Sequence, residues 1–293
     1  MEHRVTEQEA GLRLRAILRG PMGVSYSAMK SAKWDDRILR NGVPCPVDQP
    51  VVAGDVIVFL PRARQDACAL RPYALPLRIP YADEQLLIID KPAPLASQSS
   101  LAHPGDSLEN ALFAHLGCPP DFLYRPVNRL DKGTSGLMAV ALDAHTQHRL
   151  QQQLHTDAFQ RVYLAVLDGV PPQAQGTVDA PIAKEEAASV RRVVSPGGKP
   201  SVTHYEVLRV RHGRSLVRLR LETGRTHQIR VHMRFLGCPV FGDFLYGTES
   251  PLLPGRFALH SASIRLVHPL TGAEVQITSP LPEALSALLD AQA

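Results

Sequence analysis

The chain has 293 residues, of which 44% are hydrophobic, and its 32 Lys and Arg against 28 Asp and Glu give a formal net charge of +4. This length allows a sizeable core and more than one domain, and no apolar run approaches the length of a membrane span. Residues 1–4 lead into a polar segment without the apolar core of an export signal, so we expect a cytoplasmic protein. The four cysteines are far apart in sequence, which excludes a C-x-x-C metal or redox motif.

Positive charge is concentrated in the first part of the chain. Residues 10–64 contain nine Lys and Arg against four Asp and Glu, a net charge of +5, so the remainder of the chain sums to −1. Such a segment favours a polyanionic partner, although a charge run alone more often marks a solvated face. The pattern predicts helices over residues 12–18 and 26–39, a tight turn at Asn41-Gly42, and strands at Val51-Val52 and residues 56–60.

A second domain is predicted after a linker at about residues 65–77, which contains several prolines and no clear period. Residues 85–92 predict a buried strand that a proline ends, and residues 108–116 predict a short helix with a serine cap. Further predicted elements are a strand at 136–142, a helix capped by Asp143, a strand at 161–167, and a hairpin of strands 202–211 and 215–222. Many strands interspersed with short helices predict an α+β sheet domain.

The most informative segment is the run Asn128-Arg129-Leu130-Asp131-Lys132-Gly133-Thr134-Ser135-Gly136-Leu137. It places Asp131 before a small-residue turn, to which we assign Ser135, and before a buried strand. A carboxylate held at the mouth of a strand by tight backbone is a common way to present one acid to a substrate. Taken alone, the sequence allows a structural role for Asp131 equally well, in which its side chain hydrogen-bonds the main chain of the turn.

Residues 227–236 are predicted to form a helix. Thr226 is a good N-cap, Ile229 and Met233 fall on one helical face, and a glycine follows the run. Arg230 lies near the N-terminus of this helix, where the helix dipole favours acids rather than cations. That mismatch indicates that Arg230 has another task, such as pairing an acid.

Several familiar chemistries are not supported by the motifs. His227 and His232 fall on different faces of the predicted helix, and no acid with ligand spacing joins them, so we expect no metal. No G-x-x-x-x-G-K or G-x-G-x-x-G run is present, so we expect no cofactor, and Ser135 lacks the G-x-S-x-G setting of a nucleophilic serine. Taken singly, Tyr163 is a core tyrosine of a strand and Arg230 is a surface arginine.

Taken together, three segments resemble the RluA family of RNA pseudouridine synthases. The family motif H-R-L-D-x-x-T-S-G-L is matched at residues 129–137, the strand motif K/R-x-Y-L-A-x-V/L-x-G at 161–169, and T-G-R-T-H-Q-I-R-V-H at 223–232. Further matches occur at residues 83–92, 237–239, 242–243, 246–247 and 259–261. The chain departs from the family pattern at the rim of the pocket, where the family has His, Gly and Val-His-Pro at the positions of Asn128, Pro94 and Ala96-Ser97-Gln98.

The resemblance implies a pseudouridine synthase fold for residues 71–293, with a central, mostly antiparallel mixed sheet flanked by helices, and no metal or cofactor. Residues 1–70 resemble, in the order of their elements, the RNA-binding domain first seen in ribosomal protein S-four. This second resemblance implies that RNA phosphates are contacted by Arg13, Arg15, Lys30, Lys33 and Arg37. The expected partner is structured RNA, either large-subunit ribosomal RNA or transfer RNA, and we expect the protein to be a monomer that binds no membrane.

The resemblance also implies a catalytic role for Asp131, Tyr163 and Arg230, and contacts to the RNA or the uridine from Arg129, Arg225 and His227. The target uridine would be flipped into the pocket, where Tyr163 stacks on uracil and Arg230 keeps Asp131 charged. Asp131 either attacks the anomeric carbon of the ribose or removes the 2′ proton, and the residues leave both routes open. Two alternative classes stay open as well: a non-catalytic ribosome-assembly factor, and an unrelated enzyme with an Asp nucleophile, such as a hydrolase.

Overall fold

The computed structural model describes residues 1–24, 26–34, 36–60, 70–154 and 156–290. The chain divides into two compact units, Met1–Ala67 and Cys68–Ala293, and hydrophobic residues of each unit form a core of their own. Among the described residues, no helix is long and apolar enough to cross a membrane.

The small unit packs two helices against an antiparallel sheet with the strand order β1-β4-β2-β3. Its elements are β1 (Glu2–Arg4), α1 (Leu14–Arg19), α2 (Tyr26–Trp34), β2 (Ile38–Arg40), β3 (Val43–Pro44) and β4 (Val56–Phe59). The helices form because their apolar residues recur at helical spacing, and they bury this face against β4. The buried contacts are made by Leu14, Ile17 and Leu18 from α1, Met29 and Ala32 from α2, and Ile57 and Phe59 from β4.

The turn predicted at Asn41-Gly42 is confirmed, because both residues have positive φ, 51° and 82°, and join β2 to β3. The helix predicted to reach residue 39 is wrong: α2 ends at Trp34, Asp36 adopts a φ of 51° that an α-helix does not allow, and β2 follows. The strand predicted at Val51-Val52 is also wrong. The main chain of Val51 bonds the loop before α1 instead of joining a sheet.

The large unit has twelve described strands and four described α-helices. The strands are β5 (Arg78–Ala82), β6 (Leu86–Lys91), β7 (Arg125–Pro126), β8 (Ser135–Ala141), β9 (Phe159–Asp168), β10 (Gln175–Asp179), β11 (Ile182–Lys184), β12 (Arg192–Val194), β13 (Val202–Arg211), β14 (Arg214–Leu221), β15 (Leu259–Val267) and β16 (Glu274–Thr278). The helices are α3 (Leu108–His115), α4 (Ala144–Gln153), α5 (Gln228–Phe235) and α6 (Glu283–Ser286).

Ten of these strands form one sheet with the order β10-β13-β14-β9-β15-β8-β6-β5, in which β16 pairs with β15 and β7 with β8. β15 runs parallel to β8, and the other pairings of the described strands are antiparallel. All seven residues of β8 are buried, because apolar clusters cover both faces of the sheet at its centre. The predicted α+β fold with a mostly antiparallel mixed sheet is therefore confirmed.

Most predicted elements of the large unit are present, including the strand at β6, the hairpin of β13 and β14, and the caps of α3 by Ser107 and of α4 by Asp143. Ser135, however, is the first residue of β8 rather than a turn residue. Of the linker expected at about residues 65–77, residues 65–69 lie outside the described residues. Residues 70–77 pack partly buried apolar side chains on the core of this unit, and Asn110 donates a hydrogen bond to the carbonyl of Arg71.

Gly136 is required by the way β15 crosses the start of β8. It has a φ of +106°, and a Cβ atom at this position would lie 2.3 Å from the carbonyl oxygen of Ser261. An L side chain would therefore be both strained and in collision with the main chain of β15. The close approach keeps β15 between β8, which follows Asp131 in the chain, and β9, which carries Tyr163.

Candidate active site

A cavity of about 680 Å³ opens in the large unit where the loop before β8, the strand β9 and the start of α5 meet. Among the described residues, the side chains that line this cavity include one carboxylate, Asp131, and four arginines, together with Tyr163 and His227. The arginines are Arg129, Arg161, Arg225 and Arg230. A cavity of this size, lined by cations and one acid, suits an anionic ligand of nucleotide dimensions.

Asp131 and Arg230 meet in the cavity wall. Nη1 of Arg230 donates a hydrogen bond of 3.0 Å to Oδ2 of Asp131, although the two residues are 99 positions apart in the chain. Arg230 is 3% exposed, whereas the Asp131 side chain keeps 27% of its surface open. The carboxylate is thus ion-paired from the protein side and still accessible from the cavity, as a group that reacts with a ligand must be.

Arg230 is held in place by the turn that follows α5. Asp243, which is fully buried, accepts hydrogen bonds from Nε and Nη2 of Arg230 at 2.6 and 2.8 Å. The rings of Phe257 and Tyr246 lie 4.1 and 4.9 Å from the guanidinium carbon. Burial by itself would lower the pKa of Arg230, but the hydrogen bonds and charges of Asp243 and Asp131 outweigh burial and raise it. The arginine is a fixed cation.

The helix that carries Arg230 begins one residue later than the sequence predicts. His227, not Thr226, precedes α5, and it has the left-handed φ of 60°. Nδ1 of His227 lies 2.8 Å from the hydroxyl of Tyr246, and Nε2 lies 3.9 Å from Oδ2 of Asp131. Burial lowers the pKa of His227, more than the charge of Asp131 raises it. His227 is therefore a neutral side chain at pH 7 beside the accessible carboxylate.

Tyr163 lies on β9 in the cavity wall and is 4% exposed. Burial raises the pKa of its hydroxyl, and the positive charge of Arg161 acts in the opposite direction. Tyr163 belongs to the same buried cluster as Ala165 and Leu167, so these alternate residues of β9 share a face.

The structure brings six of the predicted site residues to one cavity: Asp131, Tyr163, Arg230, Arg129, Arg225 and His227. The five cations predicted to contact phosphate lie in the small unit. Arg13 and Arg15 lie 3.9 and 3.0 Å from Oδ1 of Asp48, so each already has an acid nearby. Arg37 donates to the carbonyl of Leu60, and Lys30 and Lys33 are exposed on α2.

Several side chains that the sequence did not mark as functional hold the loop around Asp131. Ser97 donates to the carbonyl of Leu130 and accepts from its N–H, at 2.5 and 3.2 Å. Asn128, in place of the histidine of the family motif, accepts from the N–H of Ala139 in β8 at 2.9 Å. Ser97 and Asn128, two of the positions that depart from the family pattern, thus each form hydrogen bonds with the main chain near Asp131. Side-chain roles of this kind depend on loop geometry, which sequence spacing does not give.

Lys91 is the largest of these supporting residues. Its side chain is fully buried, and Nζ donates to the carbonyls of Leu95, Pro92 and Lys132 at 2.7, 3.1 and 3.4 Å. Burial lowers the pKa of Lys91 more than the charge of Asp131 raises it, and the resulting pKa is about 7. The hydrogen bonds of Nζ link the end of β6 to Lys132, the residue that follows Asp131.

The large unit thus combines a mostly antiparallel mixed sheet with a cavity that holds one accessible, ion-paired carboxylate. The family model for RNA pseudouridylate synthase matches residues 85–235. The chain is 36% identical over 303 residues to the ribosomal large subunit pseudouridine synthase D of Escherichia coli strain K12, covering 98% of this chain and 92% of that one. It is also 36% identical over 272 residues to the uncharacterized RNA pseudouridine synthase YjbO of Bacillus subtilis, covering 92% of this chain and 96% of that one.

A solved structure gives the same result for the fold. Human RNA pseudouridylate synthase domain containing 4 has a TM-score of 0.58 to this chain at 26% identity, covering 72% of this chain and 91% of that one. The chain therefore belongs to the RNA pseudouridylate synthase family, and the resemblance to the RluA family is confirmed. It is an isomerase that converts uridine in RNA to pseudouridine.

Proposed function

We propose that this enzyme modifies uridine in large-subunit ribosomal RNA, with Asp131, Tyr163 and Arg230 as its catalytic residues. The observation that carries the proposal is the accessible Asp131 carboxylate, 3.0 Å from a buried arginine and in one cavity with Tyr163. The substrate class is supported by the relative from Escherichia coli, which is named for ribosomal large-subunit RNA and aligns over nearly the whole of both chains.

The geometry supports a division of labour among the three residues. Arg230 holds the Asp131 carboxylate by a hydrogen bond of 3.0 Å and so positions the group that the nucleophilic and the 2′-proton-abstracting routes both use. Tyr163 offers an aromatic ring to a uracil that has been flipped out of the RNA helix. Arg129 is exposed at the cavity and is suited to fill the vacated stack or to contact a phosphate, and Arg225 and His227 contact the nucleotide from the α5 side.

The small unit, residues 1–70 in this proposal, would hold the RNA backbone, and residues 71–293 would carry the chemistry. Its exposed Lys30 and Lys33 lie three positions apart on α2, a spacing that places both on one helical face. Arg13, Arg15 and Arg37 would exchange their present partners for phosphates. The enzyme would act as a monomer in the cytoplasm.

Mapping pseudouridines by carbodiimide-dependent reverse-transcription stops tests the substrate class, in cells with the gene, without it, and with the variants Asp131→Asn and Asp168→Asn. Asp168 is an exposed acid at the end of β9, outside the cavity lining, and serves as the matched control. We expect a stop in large-subunit ribosomal RNA that is lost without the gene and in Asp131→Asn, and kept in Asp168→Asn. A gene-dependent stop in transfer RNA would overturn the ribosomal assignment, and a fully active Asp131→Asn variant would overturn the role of this carboxylate.

A further inference from the structure

Arg161 is a buried cation in the cavity wall to which the catalytic scheme above gives no role. It lies on β9 two residues before Tyr163, and alternate residues of a strand share a face, so both side chains reach the same cavity. Arg161 is 7% exposed. It is therefore nearly as buried as Arg230, the arginine that pairs Asp131.

The surroundings of the two buried arginines differ in one respect. Arg230 contacts two carboxylates, whereas no carboxylate of the described residues lies within 4.0 Å of the Arg161 guanidinium. The Nε atom of Arg161 is buried and has no hydrogen-bond partner among the described residues. The groups beside Arg161 are uncharged: the ring of Phe159, whose centroid is 5.9 Å from the guanidinium carbon, the hydroxyl of Tyr163, which forms a hydrogen bond with the Arg161 side chain, and Gly224.

Gly224 lies next to the Arg161 guanidinium, and its missing side chain leaves the space beside the cation open. A Cβ atom on Gly224 would lie 3.6 and 3.8 Å from Nη1 and Nη2 of Arg161, so a side chain here would contact the guanidinium. Gly224 belongs to the segment 224–228 that lines the cavity. The arginine therefore lies between β9 and this loop, in the wall of the cavity.

A buried guanidinium without a counter-charge is unfavourable, because burial removes water that would otherwise stabilise the cation. Arginine binds phosphate with two parallel N–H donors, and this pairing is stronger than a hydrogen bond between neutral groups. The single carboxylate of the cavity lining, Asp131, is already paired by Arg230. The missing negative charge must come from the ligand, and the phosphate is the charged group of an RNA nucleotide.

We infer that Arg161 binds a phosphate of the RNA strand directly beside the target uridine, and so positions the ribose of that nucleotide over Asp131. This inference rests on the proposed function, since it takes RNA as the ligand of the cavity. Arg161 is a positioning residue in this role: its loss weakens RNA binding at the site and leaves the carboxylate and its arginine partner in place.

The test compares Arg161→Met, Arg161→Lys and Arg218→Gln on a transcript that contains the mapped uridine, at several salt concentrations. Arg218 is exposed and pairs with Glu206 on the neighbouring strand, outside the cavity lining, so it controls for the loss of one positive charge. We expect Arg161→Met to raise KM about tenfold or more, with a smaller change in kcat. The slope of log KM against log salt should fall by about 0.7, the value for one lost phosphate contact on a single strand. Arg161→Lys should lie between wild type and Arg161→Met.

A second measurement identifies the group that Arg161 touches. RNAs with a neutral methylphosphonate at the phosphate 5′ or 3′ to the target uridine are compared with unmodified RNA. Wild-type enzyme should bind one of the two about tenfold more weakly, and Arg161→Met should not distinguish that RNA from the unmodified one. Should Arg161→Met fail to fold, Arg161→Lys takes its place, with a partial loss of discrimination expected.

Three results would overturn the inference. The first is an Arg161→Met enzyme with unchanged KM and salt slope, and the second is an equal methylphosphonate penalty in variant and wild type at both positions. The third is a loss confined to kcat, because it would show that Arg161 acts through Tyr163 or the uracil and not on a phosphate. Failure of the proposed function is seen separately, as wild-type enzyme that forms no pseudouridine in the transcript.

Discussion

Both carboxylate oxygens of Asp243 accept hydrogen bonds from Arg230, one from Nε at 2.6 Å and one from Nη2 at 2.8 Å. This pairing uses two of the three nitrogens of the guanidinium and leaves Nη1 for Asp131. Asp243 therefore determines the direction in which Arg230 offers its charge to the cavity. The site contains two acids with different tasks, one buried to orient the arginine and one open to the ligand.

We expect Asp243→Asn to reduce both stability and activity. The substitution removes one charge from a buried ion pair and leaves Arg230 partly uncompensated, which costs about 3 kcal/mol of unfolding free energy. The rate should fall at least about tenfold, because the guanidinium is no longer held toward Asp131. Urea unfolding and single-turnover pseudouridine formation measure the two effects.

Glu206→Gln is the matched control for Asp243→Asn. Glu206 also pairs with an arginine, Arg218, at 2.8 Å, but both side chains are about half exposed. An exposed pair contributes less than about 1 kcal/mol, so this variant should resemble wild type. Equal effects of the two substitutions would show that Asp243 does not orient Arg230.

Gly136→Ala should destabilise the large unit by about 2–5 kcal/mol, because the new Cβ meets the carbonyl of Ser261 and the φ of +106° disfavours any L side chain. Gly197→Ala is the control, since a Cβ at Gly197 has no atom within 4 Å and Gly197 does not have a positive φ. That change should shift the unfolding free energy by less than about 0.5 kcal/mol. Denaturant unfolding of both variants measures the difference, and an unaffected Gly136→Ala protein would contradict the close approach of β15.

Stability should fall as pH drops below 6.5, because burial lowers the pKa of His227, His232 and His260 from the ordinary value of 6.5. In the unfolded chain these histidines take up protons near pH 6.5, whereas in the folded chain they do so only at lower pH. Acid therefore favours unfolding, by up to about 1.4 kcal/mol per pH unit for each histidine. Urea unfolding at pH 7.5 and 5.5 tests this, with His232→Gln expected to lose less stability between the two pH values than wild type does.

The double variant Lys30→Gln/Lys33→Gln should weaken RNA binding and reduce the salt slope of log Kd by about 1.4, the sum for two phosphate contacts. Both lysines are exposed on α2 of the small unit. Arg265→Gln removes a charge from the large unit, where Arg265 pairs with Glu274 at 2.7 Å, and should leave the slope unchanged. A double variant with the slope of wild type would exclude this helix as an RNA contact.

The sequence predicted the parts of the fold that depend on local pattern. The strand at β6 and the caps of α3 and α4 were predictable because apolar spacing and short polar side chains act within a few residues. The end of α2 was not, since it depends on the left-handed Asp36 and on the pairing of Ile38 with Phe59 in β4. Propensity over a window does not reveal a partner strand that is distant in the chain.

The site was predictable to a similar degree. The motifs indicate Asp131, Tyr163 and Arg230 as candidate catalytic residues, and the structure brings all three to one cavity. The mismatch of a cation at a helix start indicates that Arg230 pairs an acid, and its hydrogen bonds to Asp131 and Asp243 confirm this. The sequence gives no sign of the surroundings of Asp243 and Arg161, although both residues lie in matched motifs. Asp243 accepts hydrogen bonds from two nitrogens of Arg230, whereas no carboxylate of the described residues lies within 4.0 Å of the Arg161 guanidinium.

The position of β15 also determines when the enzyme can first work. β15 begins at Leu259 and lies between β8, which follows Asp131, and β9, which carries Tyr163. A growing chain that stops before Leu259 has both residues but lacks the strand that sets their separation. The site is therefore assembled only after β15 has been synthesised, and we expect chains truncated before Leu259 to form no pseudouridine.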